Sequence, residues 1–184
     1  MKKIAPAIFL LAAASQAHPG HASGFVAGLA HPWSGLDHLL AMLAVGVWAS
    51  QRRDRSVWIA PSIFLAAMIA GFQIGWRGIA VPGTEPGIAL GLVALGAAVG
   101  LRWTPGRFLL GALLGTTAFF HGVAHGMEAP RDTAGFLFGA GFVLSTAALH
   151  AGGIAIGWTL RERSAAHRWI GGTLAAAGAA FLLA

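Results

Sequence analysis

Long apolar runs, separated by short clusters of arginine, glycine and proline, dominate the pattern along this chain. After residue 23 the runs occupy positions 24–50, 57–75, 86–101, 106–125, 133–160 and 169–184. About 20 apolar residues in a helix cross a hydrocarbon core of about 30 Å. The pattern therefore predicts an all-α membrane protein, a bundle of six transmembrane helices. The third and sixth runs are short, which fits spans with little tilt or a locally thinned bilayer. Glycines spaced by four recur at Gly24/Gly28, Gly71/Gly75, Gly87/Gly91, Gly96/Gly100, Gly111/Gly115, Gly135/Gly139 and Gly153/Gly157. Small residues at that spacing let membrane helices approach closely, so a tight bundle is expected.

Residues 1–17 have a different pattern. Lys2 and Lys3 precede a short apolar stretch, and Ser15-Gln16-Ala17 offers the small residues that a signal peptidase reads. A cleaved signal peptide is expected there, with His18 as the mature N-terminus and 18–184 as a single six-span domain. Export of the N-terminus puts segments 51–56, 102–107 and 161–168 on the cytoplasmic side. They hold Arg52, Arg53, Arg55, Arg102, Arg107, Arg161, Arg163 and Arg168, whereas the exported loops hold only Arg77 and Arg131. This is the asymmetry of the positive-inside rule. It predicts a bacterial inner-membrane protein with both mature termini in the periplasm.

Composition agrees with lipid as the solvent. Hydrophobic residues make up 57% of the chain and charged residues only 10%. A soluble domain carries about one quarter charged residues. The net charge of +6 would otherwise raise the question of nucleic acid. The arginines instead sit in short loops without interleaved exposed aromatics, so no nucleic-acid partner is expected. There is no cysteine, which excludes disulfides, thiolate metal sites and cysteine nucleophiles.

Against this background the ionisable residues inside the spans stand out, because they are costly in a membrane and usually functional. The first run contains His31-Pro32-Trp33-Ser34-Gly35-Leu36-Asp37-His38. Pro32 removes a backbone donor and Gly35 weakens the helix, and a break or distortion here would free carbonyls and re-aim His31. On an unbroken helix His31 and His38 lie about 10 Å apart along the axis. They share one ion only if the chain bends at Pro32; otherwise they are successive stations. Asp37 is either a ligand or the partner that orients a histidine ring. In the fourth run His121, His125 and Glu128 share one helical face. Two imidazoles at i and i+4 can hold one divalent ion. Opposite helix directions put both clusters at the same depth, in the periplasmic half. His18 and His21 form a further candidate with the free N-terminus, the alternative being a flexible exported tail. His150 is either a ligand or a histidine hydrogen-bonded within the bundle. His167, in the arginine-rich loop 161–168, is expected to carry no chemistry.

The stretch from His31 through Asp37-His38 to Gly46 resembles the signature of the HupE/UreJ family, and Phe120 to Pro130 resembles that family's second motif. The resemblance runs the length of the chain. It implies a permease for nickel or cobalt that supplies metal to hydrogenase or urease maturation, with maturation proteins of a nickel enzyme as partners. By motif match it carries over His31, Asp37, His38, His121, His125 and Glu128 as the metal residues.

Nitrogen and carboxylate donors without thiolate suit Ni²⁺, Co²⁺ or Zn²⁺. No Gly-x-x-x-x-Gly-Lys-Ser/Thr stretch is present, so ATP is not expected to drive movement. A divalent cation moving inward across about 100 mV gains roughly 4–5 kcal/mol, enough to drive uptake. The alternative is an intramembrane zinc hydrolase or a metal-binding accessory protein, with Asp37 or Glu128 as the base in the hydrolase. Polar groups below the site, such as Thr116, Thr117, Ser145, Thr146 and His150, favour transport. Reporter fusions after Arg55, Gly106 and Ser164 should read as cytoplasmic. A periplasmic signal at Gly106 would separate the two clusters in depth.

Overall fold

The computed structural model describes residues 24–52 and 55–184. The expected signal peptide, His18 and His21 lie outside the described residues. Within them the chain is helical, with no strand. The helices are α1 (Gly24–Ala30), α2 (Leu36–Ser50), α3 (Ile59–Trp76), α4 (Thr84–Gly100), α5 (Arg107–Glu128), α6 (Thr133–Thr159) and α7 (Ser164–Leu183).

The first apolar run is broken at the Pro32 to Gly35 stretch. A 3₁₀ turn, His31–Trp33, links α1 to α2. Pro32 cannot donate to the preceding turn. The Ser34 hydroxyl donates to the His31 carbonyl at 2.7 Å, and Gly35 is extended, with φ −105° and ψ 119°. Helix α2 then restarts with Asp37 in its first turn, where a negative charge suits the helix dipole.

Among the described residues, three stretches are long and apolar enough to cross a membrane: Ser56–Trp76, Arg107–Glu128 and Ala134–Thr159. Leu36–Ser50 and Thr84–Gly100 are apolar but shorter. The last helix begins at Ser164, five residues before the predicted run, and so takes in His167 and Arg168.

The bundle is assembled from helix pairs that meet backbone to backbone. A Cβ at Gly24, Gly28 or Gly46 would strike the carbonyl oxygens of Ala134, Phe138 and His150, so α1 and α2 run parallel to α6. A Cβ at Gly71 or Gly75 would strike the carbonyls of Phe119 and Val123, so α3 runs parallel to α5. Gly96 faces Gly171 and Ala175 while Gly178 faces Ala89 and Val93, which makes α4 antiparallel to α7. Gly87 and Gly91 meet Phe120 and Thr117, setting α4 antiparallel to α5. His31 and His38 meet His125 and His121, so α2 is antiparallel to α5. These registers give α2 to α7 strictly alternating directions.

Six of the seven predicted glycine pairs sit in such contacts, or against side chains of neighbouring helices. Gly111 and Gly115 are the exception: a Cβ on either meets nothing within 4 Å. Gly122→Ala, which would drive a methyl into the Met68 carbonyl, is expected to destabilise the protein by about 1–3 kcal/mol. Gly115→Ala should be neutral or stabilise by up to about 1 kcal/mol through helix propensity. Thermal unfolding in detergent would check both. Equal effects at the two positions would contradict the packing.

Candidate metal centre

His31 sits on the turn that Pro32 imposes, and its Nε2 lies 2.7 Å from Glu128 Oε2, 97 residues away. The same Oε2 is 3.5 Å from His125 Nδ1. One ligand atom each from His31, His125 and Glu128 fall within 4.8 Å of one another. The rings then continue inward as a ladder. Ring centroids are 4.7 Å apart for His31 and His125, 4.3 Å for His125 and His38, and 4.8 Å for His38 and His121. His125 thus stands between the two histidines of the first motif.

Hydrogen bonds fix how the inner rings point. His38 Nδ1–H donates to Asp37 Oδ1 at 2.8 Å, and His121 Nδ1–H donates to the Thr117 carbonyl at 2.8 Å. Each ring keeps an Nε2 lone pair. Both Nε2 atoms, and both nitrogens of His125, are buried without a hydrogen-bond partner. Buried ring nitrogens are normally bonded. A histidine whose one nitrogen is held by a carboxylate or carbonyl, leaving the other free, has the arrangement of a metal ligand. Asp37 therefore stands behind His38 as its orienting partner. Gly35 makes room for that pair: a Cβ there would lie 3.0 Å from Asp37 Oδ1 and 3.2 Å from His38 Nδ1.

Aromatic rings close the site laterally. Phe142 lies 4.1 Å from His125 and Phe138 5.1 Å from His31, centroid to centroid, and Phe72 stacks on both phenylalanines. Access is at the Glu128 side, where the carboxylate is 57% exposed and His31 25% exposed, against 3% for His125. Trp33 ties the turn to α6 through a 2.9 Å bond from its Nε1 to Ser145 Oγ.

All six residues carried by the two motifs are brought into one chain of contacts. His150 lies apart, buried on α6, with neither ring nitrogen hydrogen-bonded. Among the described residues no backbone, serine or threonine group bonds it. His167 requires a correction: it is buried in α7 rather than held in a loop, with its Nδ1 3.2 Å from the Arg163 carbonyl. Helix α7 starts early because residues 164–167 continue its periodicity. The phenylalanine wall was not singled out from the sequence. Its signal is the spacing of Phe138, Phe142, Thr146 and His150, each four residues on, which places them on one face of α6.

A family model described as HupE / UreJ protein matches residues 6–181. The chain belongs to the HupE/UreJ family. Protein HupE of Rhizobium leguminosarum bv. viciae is 42% identical over 181 residues, covering 96% of this chain and 94% of that relative. No solved structure matches the chain. The two motifs that carry the family resemblance are the two segments that form the histidine ladder.

Replacing His121 or His125 with Ala is expected to abolish high-affinity metal binding while the protein remains folded. Asp37→Asn should weaken binding by about 10–100-fold, because the His38 ring loses its orienting charge. Affinity for the metal should fall as pH is lowered, since imidazole ligates only as the neutral base. Equilibrium titration in detergent would measure all three effects. Full binding by the His121→Ala/His125→Ala double variant would reduce these residues to packing.

Proposed function

We propose that the protein is an inner-membrane permease for a divalent transition-metal ion, nickel foremost and cobalt next, which it supplies to maturation of a nickel enzyme. The observation that carries this reading is the ladder of His31, His125, His38 and His121 headed by Glu128, with unpartnered ring nitrogens facing an apolar bundle. Nitrogen and carboxylate donors suit Ni²⁺ and Co²⁺. In this reading the ion reaches the exposed carboxylate first and displaces the His31–Glu128 hydrogen bond. It then exchanges its waters for imidazoles as it passes inward. Neighbouring rungs let a new ligand bind before the last one leaves, so the ion never meets bare hydrocarbon.

The same reading assigns residues 1–17 to a cleaved signal and 18–184 to six membrane crossings, with both mature ends in the periplasm. The alternating helix directions and the clustering of arginines at one end of the bundle support it. Buried polar side chains also continue beyond the ladder, at Thr117, Thr146 and His150. A path of that kind supports a transporter over a hydrolase, which requires only a closed site.

Proteoliposomes containing the full chain should take up Ni²⁺, and an inside-negative potential should accelerate that uptake. Co²⁺ and Zn²⁺ serve as competitors. Metal that binds but never crosses, at any potential, would reject the permease and favour a binding or hydrolytic role.

A further inference from the structure

We propose that His150 is an inner station for the same cargo, separated from the histidine ladder by the ring of Phe64. This rests on the transport reading, and it concerns a residue that lies outside both family motifs.

His150 is 1% exposed, and neither ring nitrogen has a hydrogen-bond partner. A histidine retained for packing would ordinarily find a donor or acceptor. Here the neighbours on hand are of another kind. Phe64 meets the imidazole edge-on, with centroids 5.1 Å apart and planes at 89°. The other side of the same contact chain reaches His121, whose ring is 5.8 Å from Phe64. The sequence of rings therefore runs His38, His121, Phe64, His150, with one apolar member.

Helix spacing supports the same axis. On α2, His38, Met42, Gly46 and Ser50 fall four residues apart, and on α6 Phe142, Thr146 and His150 do the same. Between the ladder and His150, the Thr146 hydroxyl lies 3.3 Å from the Met42 sulfur, both residues being fully buried. A hydroxyl and a thioether are modest donors for a borderline cation. They bridge the interval that Phe64 closes. Gly46 lets the backbones approach at the depth of His150, since a Cβ there would strike the His150 carbonyl. Phe64 thus keeps the two stations apart at rest, and a rotation of its ring lets the ion pass from His121 to His150.

The experiment uses the full chain in proteoliposomes with Ni²⁺ as the probe, together with equilibrium Ni²⁺ binding in detergent. His150→Phe, which fills the space without a donor, should lower the maximal uptake rate by about tenfold or more while the half-saturating concentration moves less than about twofold. His150→Met, which restores a donor atom, should recover part of the rate. Uptake by His150→Phe at the wild-type rate would overturn the inner station, as would a His150→Met variant that is no faster than His150→Phe. If neither variant inserts, His31→Ala/His38→Ala/His121→Ala/His125→Ala, which removes all four rings of the ladder and leaves His150 in place, decides the matter. It should still bind Ni²⁺ weakly with imidazole nitrogen in its X-ray absorption spectrum, and absence of any such binding would overturn the proposal. Failure of the wild-type chain to take up Ni²⁺ would instead reject the permease itself.

Discussion

Backbone contact between helices is the constraint on which the rest of this structure depends. Four imidazoles and a carboxylate can share a narrow space inside an apolar bundle only if the helices that carry them are held at a fixed separation and rotation. Glycine carbonyl contacts do this between α3 and α5 and between α2 and α6. A methyl group at Gly75 or Gly122 would wedge α3 from α5 and carry His121 and His125 with it. Lipid supplies little hydrophobic drive for helix association, so close packing is what remains to hold the pairs together.

The break in the first run complements this rigidity. A continuous helix from Gly24 to Ser50 would put His31 and His38 about 10 Å apart along the axis. The 3₁₀ turn at His31–Trp33, anchored by Trp33 to Ser145, directs His31 toward Glu128 while α2 delivers His38 to His121 and His125. Regular backbone positions the inner rungs and an irregular turn positions the outer one. The outer rung is also the more exposed.

Much of this was legible in the sequence because it depends on local rules. Pro32 and Gly35 mark where the first run can break or distort, the i, i+4 spacing puts His121 and His125 on one face, and the glycine pairs mark close contacts. The joining of the two motifs was open to inference only as a shared depth, since no local rule says which membrane helices become neighbours. The same limit applies to Phe64 and Phe142, ordinary apolar residues until the partner helix supplies a histidine against each. His167 was misplaced because arginines on both sides read as a loop, whereas residues 164–167 already form the first turn of α7.

The helix directions have an electrostatic consequence. At the end of the bundle that carries Glu128, α3, α5 and α7 present their C-termini, each with a partial negative charge of about half an electron. Helices α2, α4 and α6 present N-termini there, and each has an acid at or beside it: Asp37, Glu85 and Asp132, the last accepting a 2.9 Å bond from the Ala134 amide. Those acids offset the positive helix ends, while Arg77 and Arg131, which follow α3 and α5 at the same end, set two positive charges against the C-termini and Glu128. Four of the chain's six acids are gathered at this end, and of the described arginines Arg52, Arg55, Arg102, Arg107, Arg161, Arg163 and Arg168 lie in or beside the segments that join helices at the other. The charges are therefore polarised along the bundle, more acidic at the Glu128 end and basic at the other. A cation approaching along the bundle axis meets more negative charge at the Glu128 end than at the other.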